Sequence, residues 1–164
     1  MAEILSSIGC PILISEHCVA VEALWVGSGR RNEPNTEFET VDLKPLFVRG
    51  VASMAKLESA QEQADFVHLA TVMDDGEAIA GAIAISRDIA VGTDDRKAVA
   101  VFGSLVPPVP TVSTCVMLST WAERRQVDRR ELREAISAIR RRARFVPPTG
   151  DPLSAWWKEL ARAA

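Results

Sequence analysis

The segment 75–86, DGEAIAGAIAIS, is apolar almost all the way round a helical wheel and is rich in alanine. A helix that is apolar on every side is buried, and its small side chains let it pack closely on a sheet. The run 89–93, IAVGT, follows after a short turn and predicts the matching strand. This pair of elements predicts an α/β fold with three layers and a mostly parallel sheet.

The remaining patterns extend this alternation of strands and helices. The loop predicted at 27–40 is rich in Gly, Arg, Asn, Pro and Glu. At 164 residues the chain can bury one substantial core, so we expect a single domain, with an α/β body at 1–112 and a helical C-terminal extension at 113–164. Further strands are predicted at 11–14, 51–57 and 109–112, and helices at 2–8, 15–25, 42–49, 58–72, 94–102, 113–125, 128–143 and 152–162.

Charge is distributed unevenly along the chain. Residues 1–120 hold 8 Lys and Arg against 16 Asp and Glu, whereas residues 121–164 hold 11 against 6. A polyanion is repelled by the acidic body unless cations neutralise part of it, while the basic end of the chain attracts phosphate directly.

The cysteines and the hydropathy of the chain bear on its compartment. Three cysteines without a CxxC pair fit a reducing compartment better than a disulfide framework, so we expect a cytoplasmic protein. No apolar run reaches the roughly 18 residues that a membrane span needs, so no membrane partner is expected.

Carboxylates stand at both ends of the buried helix-and-strand unit, and two interpretations of them remain open. Asp74 and Glu77 have the spacing of a capping box, and Asp94 and Asp95 fit the first turn of the next helix, where the helix dipole favours negative charge. Alternatively, the carboxyl ends of parallel strands bring the acids together. Glu22 lies among apolar residues and is costly to bury without a cation. A hard cation such as Mg²⁺ or Mn²⁺ would relieve the repulsion between clustered carboxylates.

The order of these acids resembles that of PIN-domain proteins. Glu22 comes first, DDGEA then opens an Ala-rich helix, and an apolar strand ends in TDDRKA. The resemblance extends to the C-terminal segments ARFVPP and DPL and to the Trp156–Trp157 pair. It implies a metal-dependent ribonuclease with Mg²⁺ or Mn²⁺ held by Glu22, Glu77 and Asp94 or Asp95, in which the metal activates a water for attack on an RNA phosphodiester.

The same resemblance implies further properties. Many family members are toxins restrained by an antitoxin, so an antitoxin is an expected partner. PIN domains usually begin with an apolar strand that ends in a metal-binding Asp, and Met1-Ala2-Glu3-Ile4-Leu5 resembles the helix that follows this strand. We therefore expect the first strand to be missing, so that the strands at 12–14 and 89–93 lack the neighbouring strand that would pair with both. Unpaired strand edges are prone to association, which makes a homodimer a further expectation.

Nine arginines lie between residues 124 and 144, and their role is open. They either contact RNA phosphates or form a solvated face that pairs with Glu131 and Glu134. The candidates for phosphate contact are Arg96, Lys97, Arg140 and Arg141. A different class of function is also open: a PIN-like remnant or binding module without a complete metal site.

Overall fold

The computed structural model describes residues 1–22, 25–27 and 38–162; the side chains of Glu22 and Trp25 are outside this description. The chain is a mixed α/β protein and divides into two compact units. We call Pro11–Glu22 with Lys44–Thr114 the α/β unit, and Met1–Cys10, Ala23–Leu43 and Cys115–Ala164 the helical unit. None of the described helices is long and apolar enough to cross a membrane.

The α/β unit contains two parallel strand pairs. Strand β1 (Ile12–Ser15) pairs with β4 (Ala52–Ala55), from Ile12↔Ala52 to Ser15↔Ala55. Strand β5 (Val91–Gly92) pairs with β6 (Thr111–Val112) through Val91↔Thr111 and Gly92↔Val112. In the described part of the chain neither β1 nor β5 has a second ladder partner. The elements are β1 (Ile12–Ser15), a π-helical turn (Cys18–Glu22), α2 (Lys44–Val48), β4 (Ala52–Ala55), α3 (Ala60–Leu69), α4 (Asp75–Arg87), β5 (Val91–Gly92), α5 (Arg96–Ser104) and β6 (Thr111–Val112).

The buried helix predicted at 75–86 is α4, and it lies against both strand pairs and α3. Its buried residues are small: Gly76, Ala78, Gly81, Ala82 and Ala84, together with Ile83. A Cβ on Gly81 would lie 2.5 Å from Phe102 and 2.9 Å from Leu69. Glycine is therefore needed at this position because the neighbouring side chains occupy the space of a methyl group.

The elements of the helical unit are α1 (Ala2–Ser7), β2 (Trp25–Gly27), β3 (Phe38–Thr40), α6 (Thr114–Arg125), α7 (Arg129–Arg142) and α8 (Ser154–Arg162). The first residue of α6, Thr114, belongs to the α/β unit. Its core is built from large side chains. Trp157 is 1% exposed and makes an edge-to-face contact with Phe145, with ring centroids 5.2 Å apart. The other buried residues of this core are Cys115, Leu118, Trp121, Leu132, Ile136 and Leu160.

The structure departs from the sequence predictions in two places. Within the helix predicted at 15–25, the structure has a π-helical turn at Cys18–Glu22, whereas Trp25 and Val26, which favour extended backbone, enter an antiparallel ladder with β3, a segment that was predicted as loop. Instead of one mostly parallel sheet, the described strands form three separate two-stranded ladders. The segment 28–37 of the predicted loop lies outside the described residues.

Candidate functional site

The ends of β5 and β6 place several polar residues at one edge of this strand pair. The strands are parallel, and the N–H of Thr93, the residue after β5, still donates to the Val112 carbonyl at 3.1 Å. Asp94 and Asp95 therefore follow β5 at the same edge at which Ser113 and Thr114 follow β6. In parallel sheets functional groups gather at this edge.

Asp94 joins the two strand ends directly. The N–H of Thr114 donates to the Asp94 carboxylate, 3.1 Å from Oδ1 and 3.3 Å from Oδ2, and the Thr114 hydroxyl donates to Oδ2. Because Thr114 is the first residue of α6, the half-buried carboxylate satisfies an N–H that has no partner within the helix. The sequence predicted that Asp94 belongs to its own following helix, but its partner is a helix 20 residues further along the chain.

Asp95 is the N-cap of α5. Its Oδ1 accepts a hydrogen bond from the Ala98 N–H at 2.8 Å, and its own N–H donates to the Thr93 hydroxyl at 3.1 Å. The capping interpretation is therefore confirmed for Asp95. The residue is exposed.

The other acidic candidates lie at the start of α4 and at the end of the π-helical turn. Asp74 has the extended backbone of an N-cap, but its side chain makes no capping hydrogen bond. Glu77 is half-buried in the first turn of α4. Glu22 ends the π-helical turn, and its side chain lies outside the described residues.

These acids do not form a recognisable ligand group in the described part of the chain. Among residues 1–22, 25–27 and 38–162, no three His, Cys, Asp or Glu side chains are arranged so that they could hold a metal ion. Mg²⁺ and Mn²⁺ prefer oxygen ligands, and both Asp94 and Asp95 already accept backbone hydrogen bonds. The described side chains alone therefore bring together fewer oxygen ligands than the about six that a hard divalent cation takes.

A buried ion pair that the sequence analysis missed lies elsewhere in the α/β unit. Glu62 is 2% exposed, and its Oε1 accepts a hydrogen bond from Arg87 Nε at 2.9 Å. Its Oε2 accepts from the N–H groups of Glu58 and Ser59, completing a capping box with Ser59 at the start of α3. The Arg87 guanidinium, followed by the Glu58 N–H, lowers the pKa of Glu62 from 4.5 to about 2.

This ion pair connects the start of α3, the end of α4 and the segment just after β4. Arg87, the last residue of α4, also donates to the Lys56 carbonyl just after β4, at 2.9 Å. The Ser59-x-x-Glu62 spacing is a capping-box signal that was available in the sequence. The partnership with Arg87, 25 residues away, carries no such signal.

The basic candidates are all exposed. Arg96 and Lys97 lie in the first turn of α5, and Arg140 and Arg141 lie in the last turn of α7. Other arginines of the same region have specific partners: Arg124 donates to the Ser7 carbonyl and Arg142 to Glu39. The arginine-rich region is therefore not one uniform solvated face.

No family model, curated protein or solved structure matches the chain. Support for a function therefore comes from the sequence pattern and from the contacts described above.

Proposed function

We propose that the chain is a PIN-like, Mg²⁺- or Mn²⁺-dependent ribonuclease that hydrolyses RNA phosphodiesters at the edge formed by the ends of β5 and β6. The observation that supports the proposal is the contact between Asp94 and Thr114. It joins the carboxyl ends of two parallel strands and leaves two adjacent carboxylates at the edge where such sheets carry their functional groups.

The proposed site includes residues beyond this edge. Asp94 and Asp95 supply oxygen ligands from one segment, and the proposal adds Glu77 from α4 and Glu22, since a hard cation needs about six oxygens in all. Arg96 and Lys97 follow the acids directly and would hold the RNA phosphates. The cysteine pattern favours a cytoplasmic compartment, and the resemblance to PIN-domain toxins adds an antitoxin as a partner.

An RNA-cleavage assay tests this proposal with substitutions that separate charge from capping. Asn caps helices as well as Asp does, so Asp95→Asn removes the charge while α5 keeps its N-cap. The proposal predicts cleavage with Mn²⁺, none with EDTA, and a loss of at least about a hundredfold in Asp95→Asn and in Glu77→Gln, since removal of a metal ligand removes most of the activity.

The matched control is Asp128→Asn. Asp128 is the N-cap of α7 in the helical unit and accepts a hydrogen bond from the Glu131 N–H at 2.8 Å, in the same way that Asp95 accepts from Ala98. The control removes the same charge from the same type of cap, so it should cleave like the unsubstituted chain. Equal activity of Asp95→Asn, Glu77→Gln and the unsubstituted chain would refute the proposed site.

A second candidate function is a binding module without nuclease activity. The absence of a three-residue ligand group in the described part of the chain favours it, as do the hydrogen bonds that already hold Asp94 and Asp95. Calorimetric titration with Mn²⁺ separates the two candidates. A single saturable site with micromolar affinity supports the ribonuclease, whereas no saturable binding together with no cleavage supports the binding module.

A further inference from the structure

Helix α7 has one buried side and one strongly basic side. Leu132 and Ile136 are buried in the core of the helical unit. At about 100° per residue, Arg130, Arg133, Arg140 and Arg141 fall within an arc of about 100° on another side of the helix. We call these four residues the arginine face.

Other arginines of this region have structural partners. Arg124 donates to the carbonyls of Ser7 and Ile8, at 2.9 and 2.7 Å, and so closes the C-terminus of α1. Arg142 donates to Glu39 at 3.0 Å and to the Gly27 carbonyl at 3.4 Å, which ties α7 to β2 and β3. These side chains stabilise the helical unit and are not available for a ligand without loss of those contacts.

The side chains of the arginine face have weaker interactions with the rest of the protein than Arg124 and Arg142 have. Arg130 Nη1 lies 3.7 Å from Glu134, with both side chains mostly exposed, and such a pair contributes little. Arg141 donates only to the Ser137 hydroxyl of its own helix, at 2.7 Å. Arg140 is exposed and has no ion pair in the described part of the chain. Arg133 is half-buried, and its Nε is buried without a hydrogen-bond partner among the described residues.

The chemistry of this face favours a phosphate backbone over a protein surface. A protein interface usually has a desolvated apolar centre. None of the large exposed hydrophobic side chains in the described residues lies on α7. Guanidinium groups, by contrast, bind phosphate with two parallel hydrogen bonds. From Arg130 to Arg141 the helix rises about 16 Å, which is long enough to follow several phosphates of one strand.

We propose that the arginine face binds the backbone phosphates of a single nucleic-acid strand without reading its sequence. This inference does not depend on the proposed nuclease activity, because binding is measured without metal. The net positive charge of residues 121–164 draws a polyanion to this part of the chain, while the acidic residues 1–120 repel it.

Fluorescence anisotropy with a labelled RNA of about 20 nucleotides, in EDTA and over a range of KCl concentrations, tests the proposal. The variant Arg130→Gln/Arg140→Gln/Arg141→Gln should bind at least about tenfold more weakly at about 100 mM salt. The slope of log affinity against log salt should become shallower by about 2, since each phosphate contact on a single strand contributes about 0.7. Arg133 is left intact because its side chain is half-buried.

The matched control is Arg49→Gln/Lys56→Gln/Lys158→Gln, which removes the same charge from exposed residues outside α7. It should retain RNA affinity within about threefold and keep the slope. Equal losses in the two variants would overturn the inference, because binding would then depend only on net charge. Unchanged binding in the α7 variant would overturn it as well. Polyglutamate binding as tight as RNA, with the same loss in the α7 variant, would assign the face to an acidic protein instead.

Discussion

The α/β unit buries a helix of mostly small side chains, α4, against Phe102 and Leu69, whereas the core of the helical unit contains two large aromatic residues, Trp121 and Trp157. In α4 the buried positions are mostly glycine and alanine, so helices and strands approach closely. In the helical unit Trp121 and Trp157 fill the space between α6, α7 and α8. A core of small residues has little room for an added methyl group, while a core of large residues loses most when one of them is truncated.

Both units use charged side chains to satisfy unpaired backbone groups. Carboxylates accept hydrogen bonds from helix N-termini: Glu62 at α3, Asp95 at α5 and Asp94 at α6 in the α/β unit, and Asp128 at α7 in the helical unit. Arginines donate to backbone carbonyls, as Arg87 does just after β4 and Arg124 does at the end of α1. Each sign of charge thus satisfies the backbone groups of opposite polarity that secondary structure leaves unpaired.

The largest effect is expected from Trp157→Ala, which should lower the free energy of unfolding by about 3–5 kcal/mol because it opens a cavity in the aromatic core. Urea denaturation measures the loss, and hydrogen exchange should place it in α6, α7 and α8. Trp156→Ala is the control, since Trp156 is only half-buried and should cost clearly less. Equal losses in the two variants would show that the destabilisation does not depend on how deeply the tryptophan is buried.

A smaller effect of opposite origin is expected in the α/β unit. Gly81→Ala should destabilise by about 1–3 kcal/mol, because the new methyl group meets Phe102 and Leu69. Gly103→Ala in α5 adds the same group where nothing lies within 4 Å, so it should stabilise by up to about 1 kcal/mol through helix propensity. Thermal unfolding measures both. A gain in stability at both positions would contradict the close packing of α4.

The smallest effect is a pH-dependent one at Glu62. Its pKa is lowered from 4.5 to about 2 in the folded protein, so its contribution to stability is fully present above about pH 4.5 and is lost as the pH falls towards 2. The urea midpoint of Glu62→Gln should therefore lie below that of the unsubstituted chain near neutral pH and approach it in strong acid. A difference that stays constant with pH would disprove the link to Arg87.

Glu58→Gln is the control for this pH series. Glu58 Oε2 lies 3.4 Å from Arg87, but its side chain is 62% exposed, so solvent screens the interaction. Its substitution should change the urea midpoint less than Glu62→Gln does near neutral pH, and the difference between the two variants should shrink as the pH falls.

The sequence predicted most of the helices because their apolar periodicity and caps are local. α4, α5, α6, α7 and α8 all lie close to the predicted bounds. The ladder between Trp25–Gly27 and Phe38–Thr40 was missed, since pairing between segments that are separated by ten residues in the sequence leaves no local pattern. The contacts of Asp94 with Thr114 and of Glu62 with Arg87 join residues 20 and 25 positions apart, and only the folded chain brings them together.

The candidate site was predictable only in part. The sequence placed Asp94 and Asp95 after a strand, at the edge where the structure has them, because β5 is an apolar run that ends in these acids. It could not tell whether their oxygens face a metal or a helix N-terminus, since both arrangements need a carboxylate at that place. The sequence pattern also could not show which arginines have structural partners, as Arg124 and Arg142 do, and which belong to the arginine face.

We propose that RNA cleavage takes place in the acidic α/β unit and that RNA binds to the arginine face of the helical unit. The decisive experiment measures RNA cleavage with Mn²⁺ and RNA binding in EDTA for the unsubstituted chain and for Asp94→Asn/Asp95→Asn. The double variant should lose cleavage by at least about a hundredfold and retain RNA affinity within about threefold, because phosphate contacts supply the binding. A double variant that cleaves RNA as fast as the unsubstituted chain would show that Asp94 and Asp95 do not carry the reaction.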